Sequence, residues 1–206
     1  MPPSWYHLIK TESENIMKTL IILGNTRAKS NTEALAKTFA DELIAQGYEV
    51  KQIPLREKTV QTCVGCDACH TVCDSFGCVI KDDMQEIAEE MLASDLIVLA
   101  SPIYTWMPTP PLKAVMDRIY AFTKYPKFPK YAGQFNLLTK QKFAMIATSG
   151  DKIETNCDLF DQSVQRMADF ADLKYIGYLA ARDNHDDNII TQAVIDRVRA
   201  FVKKCV

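Results

Sequence analysis

The chain has 206 residues, 48% of them hydrophobic, and a formal net charge of −2. This length and composition suit one α/β domain with a substantial core, and the weak negative charge excludes a positive field that would attract DNA or RNA. No apolar run approaches the roughly 20 residues that cross a bilayer. We therefore expect neither nucleic acid nor a membrane as a partner.

The start of the chain is polar and mixed, and a second methionine, Met17, stands directly before the first strong apolar run. We expect residues 1–16 to be an N-terminal extension and residues 17–206 to form one domain. No secretion-signal pattern precedes that run. We therefore expect a cytoplasmic protein, whose seven cysteines are reduced thiols or metal ligands rather than disulfides.

Five short apolar runs alternate with helical patterns from residue 18 onward. In chain order the predicted strands are KTLIILG, YEVKQIPL, DLIVLASP, KFAMIATSG and KYIGYLAA. Continuous apolar runs of this length are typical of strands buried on both faces. A strand-then-helix alternation predicts a five-stranded parallel sheet with helices on both faces.

The segments between the strands predict five helices. Their expected bounds are 30–47, 82–92, 109–122, 156–171 and 190–203. Ser30 and Glu33 have the spacing of a capping box, and Thr109 is expected to cap a helix with proline at its first position. Residues 124–140 are expected to form an irregular insertion rich in proline, lysine and aromatic residues.

Ligands of such sheets bind beyond the carboxyl ends of the strands, where the strand order reverses. The loop after the first strand, GNTRAKSNTEA, carries hydroxyl groups and Arg27 and leads into a helix. A helix N-terminus attracts phosphate, and hydroxyls with one arginine complete a phosphomonoester pocket. Neither GxGxxG nor a P-loop motif is present. The candidate phosphate ligands are Asn25, Thr26, Arg27, Ser30, Asn31 and Thr32.

Two further loops follow the third and fourth strands. The turn after the third strand is rich in aromatic and sulfur side chains, namely Tyr104, Trp106 and Met107, and suits the flank of a flat heterocycle. Packing into the core is the commoner fate of such residues. The turn TSGD after the fourth strand has small residues whose N–H groups can approach a ligand ring closely.

These segments together resemble the NADPH-dependent FMN reductase family, and within it the branch that includes the iron–sulfur flavoproteins. The resemblance rests on GNTRAKSNTEAL, SPIYTWMP, PLKAVMDR and CVGCDACHTVCDSFGCVIKDDM. It covers roughly residues 18–150. It implies a flavodoxin-like three-layer sandwich, FMN as cofactor, NAD(P)H as co-substrate, and a homodimer or homotetramer in which a neighbouring subunit helps to cover the flavin.

The resemblance also assigns residues to the FMN site. The phosphate would lie on the six residues named above, with Asn25 standing where serine is commoner. The isoalloxazine ring would lie against two turns, made of Ser101, Pro102, Ile103, Tyr104, Thr105, Trp106 and Met107, and of Thr148, Ser149, Gly150 and Asp151. We expect no catalytic side chain, because the flavin carries the chemistry. Lysines of the insertion, such as Lys124, are expected to be solvated.

Five of the seven cysteines stand in CVGCDACHTVCDSFGC, within a Cys-rich loop over residues 60–81. Their spacing leaves four readings open. A [4Fe–4S] cluster would use Cys63, Cys66 and Cys69 with Cys78, or with Cys73 as the alternative fourth ligand. Zinc would use the thiolates, or three of them with His70, although an exposed histidine without a role is expected there. The third possibility is a disulfide between Cys69 and Cys78. The fourth is a loop of free thiols that binds no metal.

Three functions remain open. The leading one is an NAD(P)H oxidoreductase that reduces flavin, quinone or another small acceptor by hydride transfer through FMN. The alternative is an iron–sulfur flavoprotein that takes electrons from a ferredoxin-like partner through its cluster. The last is a redox-sensing module with structural FMN or zinc. Outside the loop, Cys157 and Cys205 are expected to be buried, and His185 is expected to lie in a solvated helix entry.

Overall fold

The computed structural model describes residues 16–183 and 188–206. Nearly all of the predicted extension, and His185 before the last helix, lie outside the described residues. The strands are β1 (Lys18–Leu23), β2 (Glu49–Pro54), β3 (Leu96–Pro102), β4 (Thr123–Lys124), β5 (Phe135–Asn136), β6 (Lys142–Ser149) and β7 (Lys174–Arg182). The α-helices are α1 (Asn31–Ile44), α2 (Met84–Ala93), α3 (Pro110–Ile119), α4 (Ile153–Asn156), α5 (Asp158–Phe170) and α6 (Gln192–Cys205).

The main sheet is parallel throughout, with the strand order β2-β1-β3-β6-β7. Its two faces carry separate apolar clusters because successive strand residues point to opposite sides. Leu20 and Ile22 pack with residues of α2, α3 and α5, whereas Ile21 and Leu23 pack with residues of α1 and α6. The predicted three-layer flavodoxin-like sandwich is thereby confirmed.

Helix starts follow the sequence signals in part. The Ser30 hydroxyl accepts a hydrogen bond from the Glu33 N–H at 3.2 Å, as a helix cap does. The Glu33 carboxylate does not complete the capping box, since it binds both terminal nitrogens of Arg56 at 3.0 and 3.2 Å. Thr109 precedes α3 without a capping bond from its side chain, and its hydroxyl has another role described below.

Two predicted segments differ from the structure. The helix expected over residues 156–171 is present as α5, but a separate short helix that was not predicted, α4, precedes it and ends at Asn156. The insertion over residues 124–140 is not wholly irregular, because β4 and β5 pair there as an antiparallel hairpin. Across the described ranges, no helix has the length and apolar character that crossing a membrane requires.

Candidate functional site

The strand order reverses between β1 and β3, and the loop after β1 is packed closely against the start of α3 at this point. The Gly24 N–H donates to the Ala100 carbonyl at 2.7 Å. A Cβ atom on Gly24 would lie 2.8 Å from the Leu112 Cβ, so glycine is required by this close approach. The Thr109 hydroxyl donates to the Gly24 carbonyl at 2.6 Å. Thr109 therefore ties α3 to the β1 loop instead of capping the helix.

A cavity of about 170 Å³ opens at this edge of the sheet. Its walls come from the ends of β1, β3, β6 and β7. The lining residues are Asn25, Thr26, Arg27, Ser30, Asn31, Thr32, Pro102, Ile103, Tyr104, Thr148, Gly150 and Asp183. The structure therefore brings together all six candidate phosphate ligands with part of each predicted ring-lining turn.

The floor of the cavity suits an anion. The Thr32 hydroxyl, in the first turn of α1, lies 2.6 Å from the Thr148 hydroxyl at the end of β6, so the two walls are joined. Within the part of the chain that the structure describes, the backbone N–H groups of residues 26–28 have no hydrogen-bond partner. Unpaired N–H groups beside the positive end of a helix attract phosphate.

Asn25 lines the cavity, but its amide faces the loop. This residue is 1% exposed, and its Nδ2 donates to the Arg27 carbonyl at 2.8 Å and to the Glu33 carboxylate at 3.1 Å. Both N–H bonds of the amide are thus used within the protein. The expected bond from this amide to a phosphate is not available in this arrangement, and Asn25 instead shapes the loop that carries Arg27.

The turn after β3 is a tight hairpin with strained backbone. Tyr104 and Met107 exchange two backbone hydrogen bonds, at 2.9 and 3.1 Å, and the residues between them, Thr105 and Trp106, have φ angles of 50° and 62°. Such angles are unfavourable for residues other than glycine. The Trp106 indole holds the turn by donating to the Thr155 carbonyl at 3.1 Å.

This turn divides the predicted ring-lining residues into two groups. Pro102, Ile103 and Tyr104 line the cavity, whereas Thr105, Trp106 and Met107 do not. Ser101 is fully buried. Its hydroxyl donates to the Pro102 carbonyl and accepts the Thr109 N–H, so it supports the wall from behind.

The end of β6 contributes Thr148 to the cavity and the turn after it contributes Gly150, while the Ser149 hydroxyl is bonded to the backbone of Asp151. The sequence reasoning missed Asp183, which lines the cavity directly after β7. The sequence did indicate this position, because the end of the fifth parallel strand must reach the same edge of the sheet as the ends of the other strands.

The Cys-rich loop forms a second cavity, of about 160 Å³, at the opposite end of α3. Among its lining residues are four of the five loop cysteines, Cys63, Cys66, Cys69 and Cys78. Cys73 is absent from the lining, and its Sγ donates to the Thr71 carbonyl at 3.6 Å. The structure therefore brings together the first of the two predicted sets of cluster ligands.

All seven cysteines are free thiols in this structure. In the described residues, no three His, Cys, Asp or Glu side chains converge closely enough to hold a single metal ion. The four cysteines line one cavity without forming such a group. Away from the loop, burial raises the pKa of Cys157 to about 11 and the pKa of Cys205 to about 12, as expected for inert core thiols.

Two cations beside this loop and one histidine within it are buried. Lys124 is 0% exposed, so the expectation of a solvated lysine is wrong. Its Nζ donates to the carbonyls of Cys69 and Phe76 at 3.0 and 3.1 Å, and burial lowers its pKa although nearby Cys69 acts to raise it. Arg118 is 1% exposed and is one of the residues that line the cavity of the loop.

His70 is also buried, at 1% exposure, which contradicts the expected exposed histidine. Its Nδ1–H donates to the Thr123 carbonyl at 3.0 Å. The ring packs edge-on against Tyr120 and Tyr125, with ring centroids 4.8 and 5.0 Å away. His70 therefore anchors the loop to the segment after α3, and the aromatic packing could not be read from the loop sequence.

Residues 17–161 match the sequence profile of the NADPH-dependent FMN reductases. The chain belongs to this family. Membership confirms the predicted family, whose description is that of NADPH-dependent FMN reductases.

Several relatives show the range of this family. An iron–sulfur flavoprotein of Archaeoglobus fulgidus is 32% identical over 118 residues, which cover 57% of this chain and 52% of that protein. The chain thus spans about half the length of this relative. A putative NAD(P)H-dependent FMN-containing oxidoreductase of Bacillus subtilis is 28% identical, covering 84% of this chain and 90% of that protein.

The fold is shared with solved structures. An FMN-dependent NADH-azoreductase from Bacillus anthracis in complex with FMN superposes with a TM-score of 0.62 at 19% identity, covering 91% of this chain and 98% of that chain. An NAD(P)H:quinone oxidoreductase from Methanothermobacter marburgensis superposes with a TM-score of 0.66 at 15% identity, covering 91% and 98%. At these identities the likeness establishes the flavodoxin-like fold.

Proposed function

We propose that this protein transfers reducing equivalents from NAD(P)H to a small acceptor, such as a flavin or a quinone, through FMN in the cavity at the β1 loop. The observation that carries the proposal is the anion-suited cradle between the β1 loop and α1. The backbone N–H groups of residues 26–28, the α1 terminus and Arg27 have the chemistry that a phosphomonoester requires. The residues present therefore fit the FMN phosphate.

When bound, FMN supplies the hydride chemistry, and the protein supplies position and electrostatics. The chain's own residues then have three tasks. Arg27 and the hydroxyl-bearing loop hold the phosphate, and the Thr32–Thr148 contact keeps the two walls at a fixed spacing. The pinned turn at Tyr104 presents a half-exposed aromatic ring at the cavity rim, where a flat substrate can stack. In this arrangement no side chain needs to act as a general acid or base.

The full chain loaded with FMN is expected to oxidise NADPH or NADH when a quinone or free flavin is supplied. Turnover should depend on loading, because the flavin is the group that reacts. The measurement is the loss of nicotinamide absorbance, with the apo chain and an equal concentration of free FMN as controls. A loaded chain that turns over no faster than free FMN would refute the proposal. The cytoplasmic location and the homodimer or homotetramer stay predictions.

A second candidate function concerns the Cys-rich loop. We propose that Cys63, Cys66, Cys69 and Cys78 hold an iron–sulfur cluster that exchanges single electrons with a ferredoxin-like donor. The supporting observation is that these four thiols share one cavity, whereas Cys73 points elsewhere. In a four-iron cluster each iron atom binds one cysteine thiolate, so the four ligands surround the volume of the cluster. A single zinc ion instead requires all ligands about 2.3 Å from one point, and no such convergence is present among the described residues.

Cys66→Ser is expected to abolish iron binding while FMN binding stays intact, because the two cavities lie at opposite ends of α3. The measurement is iron and acid-labile sulfide per chain after anaerobic reconstitution, alongside FMN content of the same sample. Cys73→Ser is the matched control and should retain the wild-type iron content. If Cys66→Ser keeps full iron, the assigned ligand set is wrong. If the wild-type chain takes up no iron, the cluster is ruled out and the loop is a metal-free structural element.

A further inference from the structure

Arg118 is a buried cation that spans the two ends of the Cys-rich loop. Its Nη1 donates to the Gln61 carbonyl at 3.3 Å, which precedes the first loop cysteine. Its Nη2 donates to the Ile80 carbonyl and to the Cys78 Sγ, both at 3.3 Å. The same guanidinium pairs with Asp82 at 2.6 Å. One side chain therefore holds the entry and the exit of the loop together.

The contact with the Cys78 sulfur distinguishes the two candidate fourth ligands. A guanidinium is permanently charged and is a strong donor, while a neutral thiol is only a weak acceptor. The bond is therefore strongest when Cys78 is a thiolate. Cys73 has no such donor among the described residues, and its own Sγ donates to the Thr71 carbonyl.

A second buried cation lies on the inner side of the loop. Asp82 balances Arg118, but Lys124 is fully buried on the carbonyls of Cys69 and Phe76 and makes no ion pair in the described part of the chain. A buried cation without an ion-pair partner is costly. Four thiolates on an iron–sulfur core carry a net negative charge, which would compensate the buried charge of Lys124; four neutral thiols would not.

We propose that Arg118 is a positioning residue for the cluster, which fixes Cys78 as the fourth ligand and shifts the reduction potential to more positive values. The inference rests on the cluster proposed above and extends it to a residue outside the ligand set. A hydrogen bond to a ligand sulfur stabilises the more negatively charged, reduced state, so it raises the potential. The inner cation Lys124 acts in the same direction.

The test compares Arg118→Lys with Arg199→Lys, a matched change at an exposed arginine on α6 that pairs with Glu42. Both full-length variants are reconstituted anaerobically with iron and sulfide. We expect Arg199→Lys to match the wild type in iron content and midpoint potential. We expect folded Arg118→Lys to have a more negative midpoint in an EPR-monitored titration, because lysine keeps the charge but lacks the fork that reaches both Asp82 and Cys78. An iron content that is lower in Arg118→Lys but unchanged in Arg199→Lys also supports a positioning role.

Asp82→Asn separates the electrostatic effect from a loosened loop. It removes a negative charge but keeps a hydrogen-bond acceptor for Arg118, so the midpoint of the folded variant should shift in the positive direction. Shifts of the same sign in Asp82→Asn and Arg118→Lys, or an unchanged midpoint in Arg118→Lys at full iron content, would overturn the inference. A wild-type chain that binds no iron would instead refute the cluster itself. If Arg118→Lys does not fold, iron retained by Cys78→Ser and lost from Cys73→Ser would overturn the assignment of Cys78.

Discussion

Asp82→Ala is expected to destabilise the protein by about 3–5 kcal/mol, because the change leaves the Arg118 guanidinium buried without its carboxylate. The two side chains are 2% and 1% exposed, and the nitrogen–oxygen distance is 2.6 Å. Asp82 also accepts the backbone N–H groups of Gln61 at 2.7 Å and Met84 at 3.1 Å. The Asp82 side chain therefore joins the two ends of the Cys-rich loop and also accepts a backbone N–H at the start of α2.

Equilibrium unfolding in urea measures this loss. Asp41→Ala is the matched control, since Asp41 also pairs with a cation, Lys37, but on the exposed surface of α1. That variant should lose no more than about 0.5 kcal/mol. Equal losses of unfolding free energy in the two variants would show that the buried pair contributes no more to stability than the exposed pair.

The same pair predicts a pH dependence. Burial acts to raise the pKa of the Asp82 carboxyl, but hydrogen bonds from Arg118 and from the Gln61 and Met84 N–H groups outweigh it, so the pKa lies below its ordinary value. A lowered folded-state pKa means that the contribution to stability is complete above the unfolded pKa of about 4 and is lost as the pH falls through the folded pKa. Asp82→Ala should therefore flatten the acid limb of the stability profile.

Arg27→Ala is expected to weaken FMN binding by about 10–100-fold, because it removes a charge-assisted hydrogen bond worth about 1.5–3 kcal/mol. Arg27 lines the cavity from an exposed position on the β1 loop. Its loss should leave folding intact, since the side chain is exposed. The measurement is equilibrium dialysis or fluorescence titration of the apo chain with FMN.

Lys29→Ala is the control for Arg27→Ala. Lys29 lies two residues along the same loop and is also exposed, but it does not line the cavity. Comparable losses in the two variants would indicate a general attraction for an anion rather than a phosphate contact at Arg27. Riboflavin, which lacks the phosphate, should bind wild type and Arg27→Ala equally.

Much of the fold was predictable because its signals are local. Continuous apolar runs predicted the five parallel strands, and their alternation with helical patterns predicted the layers. Ser30 predicted the start of α1 from a capping interaction that spans three residues. The β4–β5 hairpin was missed, since its two-residue strands are too short to show a periodicity.

The cavity proposed for FMN was predictable to the level of loops but not of side-chain roles. The six candidate phosphate ligands, from the β1 loop and the first turn of α1, do line one cavity with the ends of other strands, because parallel strands must end at the same edge. The amide of Asn25 is nevertheless engaged by Arg27 and Glu33. Asp183 reaches the cavity from a strand about 150 residues away in sequence. Contacts between segments so far apart leave no trace in local spacing.

The sequence by itself determined the family, the sheet and the set of cysteines, because strand periodicity, motif order and ligand spacing are properties of neighbouring residues. The tertiary structure decided which cysteines share a cavity, and it buried His70, Lys124 and Arg118 beside them. A lysine in a Pro-rich insertion and an arginine late in a helix read as surface charges. Only the packing of that insertion and helix against the Cys-rich loop removes their water and gives them carbonyl and sulfur partners.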